Sequence, residues 1–182
     1  LLFLFAVTLV LTATALASAN RSGERLSAQA GGPATAISSL SLPAQSATTA
    51  RRCPLPKRFR PAFERASTRT GVPLSILAAM AQVESNFQPN AVSHAGARGL
   101  LQVLPSTAQE LEIDLDSPDA DVLAGARYLR RMLARFDSLE LALAAYNAGP
   151  TAVARAGQAP SEETRAYVSK VMARWQQIAG CS

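Results

Sequence analysis

The sequence predicts a mainly α-helical fold: a single helical domain over residues 53–182, preceded by a signal peptide over 1–19 and a flexible linker over 20–52. Three observations predict it. Beyond residue 53, apolar side chains recur at three- and four-residue intervals, the period of a helix buried along one face. Residues 1–19 are apolar almost throughout and end in Ala17-Ser18-Ala19, a small-residue cleavage pattern. Residues 20–50 are rich in Ser, Ala, Thr, Gly and Pro, and Leu26, Ile37, Leu40 and Leu42 are their large apolar side chains. Such a segment buries too little surface to offset its ordering entropy.

The elements follow in order. The first apolar run has the hydrophobic and cleavage parts of a secretory signal, without a positive front and without Met at residue 1. Its length also just spans a bilayer, so an uncleaved anchor is the competing reading. After the linker, Arg51-Arg52-Cys53-Pro54-Leu55-Pro56-Lys57-Arg58 opens the folded part. A first helix is expected over 61–70, stopped by Gly71 and Pro73. The second covers 74–85. Turn chemistry fills 89–99, with Asn90, Ser93, Gly96 and Gly99. A short helix starts at Pro105, with Ser106 as the N-cap candidate and Glu110 one residue past the capping-box place. Val122, Leu123, Ala126, Leu129 and Leu133 give 119–136 helical spacing. A helix over 139–147 ends at Gly149-Pro150, a short one covers 151–156, and the last runs over 162–178. No segment reads convincingly as a strand; 113–116 is where a small hairpin would escape notice.

The formal charge is +5. A basic exported chain suits an acidic partner: cell-wall polymer, anionic lipid or nucleic acid. The few aromatics do not interleave with basic residues as stacking platforms do, so nothing points to a nucleic-acid module. Lys57, Arg58, Arg60 and Arg130-Arg131 read as solvated helix faces. The two cysteines, Cys53 and Cys181, bracket the domain. In an exported chain they predict a disulfide joining its ends, stabilising by roughly 4–5 kcal/mol in the chain-entropy picture. Two free thiols are the alternative. His94 is the single histidine. With no G-x-S-x-G elbow it does not make a Ser-His-Asp triad, and with two cysteines it does not make a zinc site. Trp175 reads as packing.

Glu84 shares a helical stripe with Leu77, Met80 and Phe87. Burying a carboxylate costs several kcal/mol, roughly, unless it is paired or protonated. An apolar setting raises its pKa and leaves an acid available near neutral pH. Taken alone, the plainer reading is a boundary glutamate reaching water or an arginine. The residues that follow reverse it.

Four segments stand in order: Glu84-Ser85; Gly99-Leu100-Leu101-Gln102; Ala145-Tyr146-Asn147-Ala148-Gly149-Pro150; and Glu163-Thr164-Arg165-Ala166-Tyr167-Val168. Together they resemble the soluble lytic transglycosylase catalytic domain, a lysozyme-like fold of the glycoside hydrolase family 23 type. The resemblance covers about residues 58–178. It implies that Glu84 is the catalytic acid/base and that Ser85, Ser93, Gln102, Tyr146, Asn147, Glu163 and Tyr167 bind substrate. Ser93 matches a serine near the substrate N-acetyl and C6-hydroxyl, Gln102 a sugar-binding amide, Tyr146 and Asn147 the pair facing the acid. Each has a plainer reading alone. Gly99 can supply only a positive-φ turn, Gln102 only cap backbone groups, Tyr146 be a core aromatic, and Asn147 a helix C-cap before Gly149.

The chemistry fits these residue types. Most glycosidases need two carboxylates; a transglycosylase of this kind uses one, with the substrate N-acetyl group supporting the cationic carbon. Asp114, Asp116, Asp119 and Asp121 lie in a polar stretch and receive no catalytic role. No metal or cofactor is required. Leu101 and Leu104 stand at places where the family favours Met, Thr151 replaces a common Gly, and 157–161 lacks the usual Pro-Pro-Tyr character.

The expected function is therefore a peptidoglycan lytic transglycosylase, acting as a monomer on glycan strands, exported to cell wall, periplasm or exterior, with no nucleic-acid partner and no membrane contact after cleavage. A lysozyme-type muramidase using water, and a non-catalytic wall-binding or secretion scaffold, are the alternatives.

Overall fold

The computed structural model describes residues 51–182. The signal-peptide and linker expectations for 1–50 lie outside the described residues. Seven helices follow one another: α1 (Arg60–Thr70), α2 (Leu74–Ser85), α3 (Pro105–Glu110), α4 (Pro118–Arg135), α5 (Leu139–Ala148), α6 (Pro150–Ala156) and α7 (Glu162–Ile178). Each bound falls within one residue of its expectation.

Punctuation explains most of the bounds. Gly71 takes φ +70° at the end of α1 and its N–H donates to Ser67 O, a left-handed cap that glycine adopts without steric penalty. Ser117, Ser138 and Ser161 are N-caps whose side chains accept from the N–H of Ala120, Leu141 and Thr164. The start of α3 differs from expectation. Leu104 holds the N-cap place in extended backbone with no side-chain cap, and Ser106 lies inside the helix. Pro105 explains this: its fixed φ suits the first helical position, where its missing N–H is no loss.

α2 and α5 are central. Seven consecutive residues of α2, Ser75 to Ala81, are buried, as are Ala142 to Tyr146 of α5; a helix covered all round belongs to a core. α7 packs on both, α4 packs on α1 and α5, and α6 packs on α5. Phe63, Leu77, Met80, Leu129 and Leu143 are fully buried between them, and the alanines of α2 and α5 allow close approach. Trp175, half-buried on α7, also donates its indole N–H to Ser75 Oγ at 3.1 Å.

Cys53 and Cys181 form a disulfide. Backbone bonds accompany it, from Cys53 N–H to Ser182 O at 3.3 Å and from Ser182 N–H to Arg51 O at 3.0 Å. Arg60 departs from a solvated face: its guanidinium donates to Cys53 O at 2.6 Å.

Among the described residues no strand forms. Two isolated antiparallel bridges, Val92 with Arg98 and Arg98 with Val103, lie between α2 and α3 rather than at 113–116. Gly96 and Gly99, at φ +80° and +79°, let this segment double back on itself. Residues 113–116 run as a connection after Ile113 N–H closes α3 on Ala108 O.

Candidate active site

A cleft of about 570 Å³ opens where α2, the 86–104 segment, α4, α5 and the start of α7 meet. Its volume is that of an ordinary small-ligand site. Glu84, Ser93, Gln102, Tyr146, Asn147 and Glu163 line it. Ser85 and Tyr167 stand behind the lining.

Glu84 occupies the last turn of α2. Asn86 and Phe87, at φ +51° and +60°, then swing the chain away and leave the carboxyl at the helix end. Tyr167, reaching from α7, donates its hydroxyl to Glu84 Oε1 at 2.7 Å. Burial pushes the Glu84 pKa from 4.5 up to about 7; the Tyr167 bond pulls the other way, and the charge of Asp121 adds to the rise. Burial also drives the Tyr167 and Tyr146 hydroxyls well above the usual phenol range, with the Glu84 charge adding to both. Both tyrosines therefore remain hydrogen-bond donors whichever form Glu84 takes.

The side chains round the acid are held by backbone. Ser85 Oγ lies 2.9 Å from Leu100 O and 3.2 Å from Ala81 O, sharing one proton between them. Gln102 sits at φ +49°, and its amide donates to Gly99 O at 2.9 Å and Ala91 O at 3.1 Å. Both amide protons are engaged, so the amide oxygen keeps its hydrogen-bonding capacity. Ser93 Oγ accepts from Ala97 N–H at 3.1 Å. Tyr146 donates to Leu101 O at 2.8 Å. Asn147 is exposed within α5, which runs on to Ala148 with Gly149 as C-cap; its side chain is left to the cleft. Glu163 is exposed in the first turn of α7.

Two α4 residues joined to this constellation were not singled out from sequence. Tyr128 lines the cleft and packs against Tyr146, ring centroids 5.2 Å apart and tilted by 52°. Asp121 is buried at 4 % exposure. Its Oδ2 accepts from Leu100 N–H at 2.5 Å and Leu101 N–H at 3.2 Å, while Oδ1 has no partner among the described residues. Burial raises its pKa to about 7, against the pull of the Leu101 and Leu100 N–H groups. The sequence carried one signal for this contact. Gly125 lies inside α4, where glycine costs about 1 kcal/mol against alanine, and a Cβ there would fall 2.6 Å from Leu101 Cδ1 and 2.9 Å from Tyr146 Oη.

His94 lies at the cleft wall, exposed. Among the described residues no group of three His, Cys, Asp or Glu side chains could hold a metal ion. The arrangement suits proton transfer to and from a hydroxyl-rich ligand: one carboxyl poised near neutral pH among amide and hydroxyl groups, with the exposed Glu163 carboxyl also on the wall.

Comparison with known proteins finds a family, relatives and solved structures similar to this chain. The profile of the family described as "Transglycosylase SLT domain" matches residues 61–168. A membrane-bound lytic murein transglycosylase F from Desulfosudis oleivorans is 39% identical over 100 residues, covering 50% of this chain and 22% of that protein. Among solved structures, an inactive mutant of lytic transglycosylase Slt from Pseudomonas aeruginosa superposes with a TM-score of 0.58 at 29% identity, covering 70% of this chain and 25% of that one. The 70 kDa soluble lytic transglycosylase from Escherichia coli gives a TM-score of 0.58 at 28% identity, covering 68% and 25%. The mainly α-helical, lysozyme-like fold expected from the sequence is shared with them. This chain spans about a quarter of their length or less.

Proposed function

The chain belongs to the transglycosylase SLT domain family, and on that premise we propose that it is a peptidoglycan lytic transglycosylase. It cleaves the β-1,4 bond between N-acetylmuramic acid and N-acetylglucosamine and leaves a 1,6-anhydro end. The observation that carries the reading is Glu84: a cleft carboxyl raised to about 7 and held by Tyr167.

Protonated Glu84 gives its proton to the glycosidic oxygen, and the bond from that oxygen to C1 breaks. The substrate N-acetyl oxygen supports the electron-poor C1. Glu84, now a carboxylate, takes the proton of the muramoyl C6-hydroxyl, whose oxygen bonds to C1. The acid is restored and no water is consumed. Tyr167 occupies Oε1 throughout, so the travelling proton belongs to Oε2. Gln102, Ser93, Asn147 and Glu163 bind the glycan along the cleft, Tyr146 faces the acid, and Ser85 supports the site from beside it. No cofactor enters the cycle.

We further take residues 1–19 as a signal peptide, 20–52 as a linker and 53–182 as the catalytic domain, working as a monomer outside the cytoplasm. A disulfide supports export, since such bonds persist in oxidising compartments. Among the described residues no helix is long and apolar enough to cross a membrane.

The test is mass spectrometry of muropeptides released from isolated sacculi by the purified chain and by Glu84→Gln. Anhydro-ended products that vanish in the variant are expected. Reducing-end products, one water heavier, would replace the reading with hydrolysis. Release of nothing by either protein, with wall binding intact, would replace it with a scaffold.

A further inference from the structure

Asp121 is a buried carboxyl that the acid–base cycle leaves unused. It sits in the first turn of α4 and reaches a segment about twenty positions earlier in the chain, accepting the Leu100 and Leu101 N–H groups on Oδ2. These two peptides begin the turn that ends at Gln102. The carbonyl of Leu101 in turn receives the Tyr146 hydroxyl. One carboxyl thus stands behind both the amide and the phenol of the cleft. Glycine at two positions makes the approach possible. A Cβ on Gly99 would fall 2.5 Å from Asp121 Cγ, and Gly125, one helical turn beyond Asp121, admits Leu101 and Tyr146.

We propose that Asp121 is a positioning residue of the site: its carboxyl clamps the 99–102 turn, and its negative charge holds the proton on Glu84. The activity arm of this proposal rests on the transglycosylase reading. Two backbone N–H donors and the N-terminal end of α4 favour the ionised form of Asp121. Among the described residues Glu84 accepts a single hydrogen bond, from Tyr167. Of two mutually repelling buried carboxyls, Asp121 therefore ionises first and Glu84 keeps its proton longer. Burial is the larger cause of the raised Glu84 pKa and Asp121 adds to it. The other titratable groups round Glu84 are the tyrosines Tyr167, Tyr146 and Tyr128, with Glu163 and His94 on the cleft wall. On its outer side Asp121 lines a second cavity with Arg98 and Asp116.

The experiment compares the chain with Asp121→Asn and Asp121→Ala. Carbon-13 NMR follows the Glu84 carboxyl through a pH titration, and muropeptide release is timed across the same range. Asn keeps an oxygen for the two N–H donors and removes the charge. The expected result is a cooperative melt near that of the parent, a Glu84 midpoint moved to lower pH, and an alkaline limb of the rate moved with it. Ala removes the clamp as well, and release falls on the order of a hundredfold, the effect of misplacing groups by about 1 Å. An unmoved Glu84 midpoint in Asp121→Asn overturns the electrostatic role. A parental rate in Asp121→Ala overturns the clamp. If Asp121→Ala does not fold, the Asn titration decides alone. The NMR midpoint needs no turnover, so a chain inactive on sacculi with a shifted midpoint overturns the transglycosylase reading and leaves this one standing.

Discussion

Glu84→Gln should make the protein more stable, and only at the alkaline end. The folded-state pKa of Glu84 is raised from 4.5 to about 7. The folded chain therefore holds this proton more tightly than the unfolded chain. Its contribution to stability is complete below pH 4.5 and is lost as pH rises through 7. The difference corresponds to about 3 kcal/mol, at about 1.4 kcal/mol for each pH unit. Glutamine accepts the same Tyr167 hydrogen bond and never ionises, so the variant avoids the loss. For a domain of this size about 1 kcal/mol moves the melting temperature by about 4 °C. Glu84→Gln should then melt about 10 °C above the parent at pH 8.5 and close to it at pH 4. Asp121 also titrates near this window in the parent, and its repulsion of ionised Glu84 is absent from the variant, so the quantity to read is the difference between the two proteins, which includes that repulsion. Scanning calorimetry with the disulfide intact supplies it. An equal difference at both pH values, or a variant less stable at pH 8.5, would refute the account of Glu84 as a carboxyl ionised against burial.

Three further outcomes follow from the same geometry. Tyr167→Phe removes the bond that favours the carboxylate, so the Glu84 midpoint should rise and the alkaline limb of muropeptide release should move to higher pH; movement the other way would contradict it. Gly125→Ala gains about 1 kcal/mol of helix propensity but forces a Cβ against Leu101 and Tyr146, an overpacking cost of about 1–3 kcal/mol. Its melting temperature should fall rather than rise, with slower release, as circular dichroism and product assays would record. Cys53→Ser with Cys181→Ser opens a loop of separation 128, about 5 kcal/mol by chain entropy; the melting temperature should fall by more than about 10 °C, and a reductant should reproduce the fall in the parent.

The helices were legible because their signals are local. Gly71, Pro105 and Gly149 are read within a few residues of the elements they bound. Within the cleft, the plainer reading of Gln102 is seen directly, its amide capping backbone carbonyls, and the same side chain lines the cavity. Gly99 supplies the positive-φ turn, but the turn also needs a missing Cβ to admit Asp121. Asp121 itself was illegible in its own neighbourhood. Asp114, Asp116, Asp119 and Asp121 look alike in a polar stretch, and only the contact with Leu100 and Leu101 separates the last from the rest. Tyr128 was missed for the same reason, since its partner Tyr146 lies on another helix.

One face of α4 ties these observations together. Asp121, Gly125 and Tyr128 are spaced by four and three residues, so they share that face. They meet, in turn, the 99–101 backbone, the Tyr146 hydroxyl and the Tyr146 ring. Tyr146 and the turn that carries Gln102 are thereby fixed to peptide backbone and to one helix. Tyr146 and Tyr167 hold their protons far above neutral pH, which leaves Glu84 as the cleft carboxyl whose charge changes near pH 7. A site that must lend one proton and recover it within a single turnover needs that separation. If the tyrosines titrated beside Glu84, the proton would have several places to rest; in the proposed cycle it would travel between the glycan and Oε2.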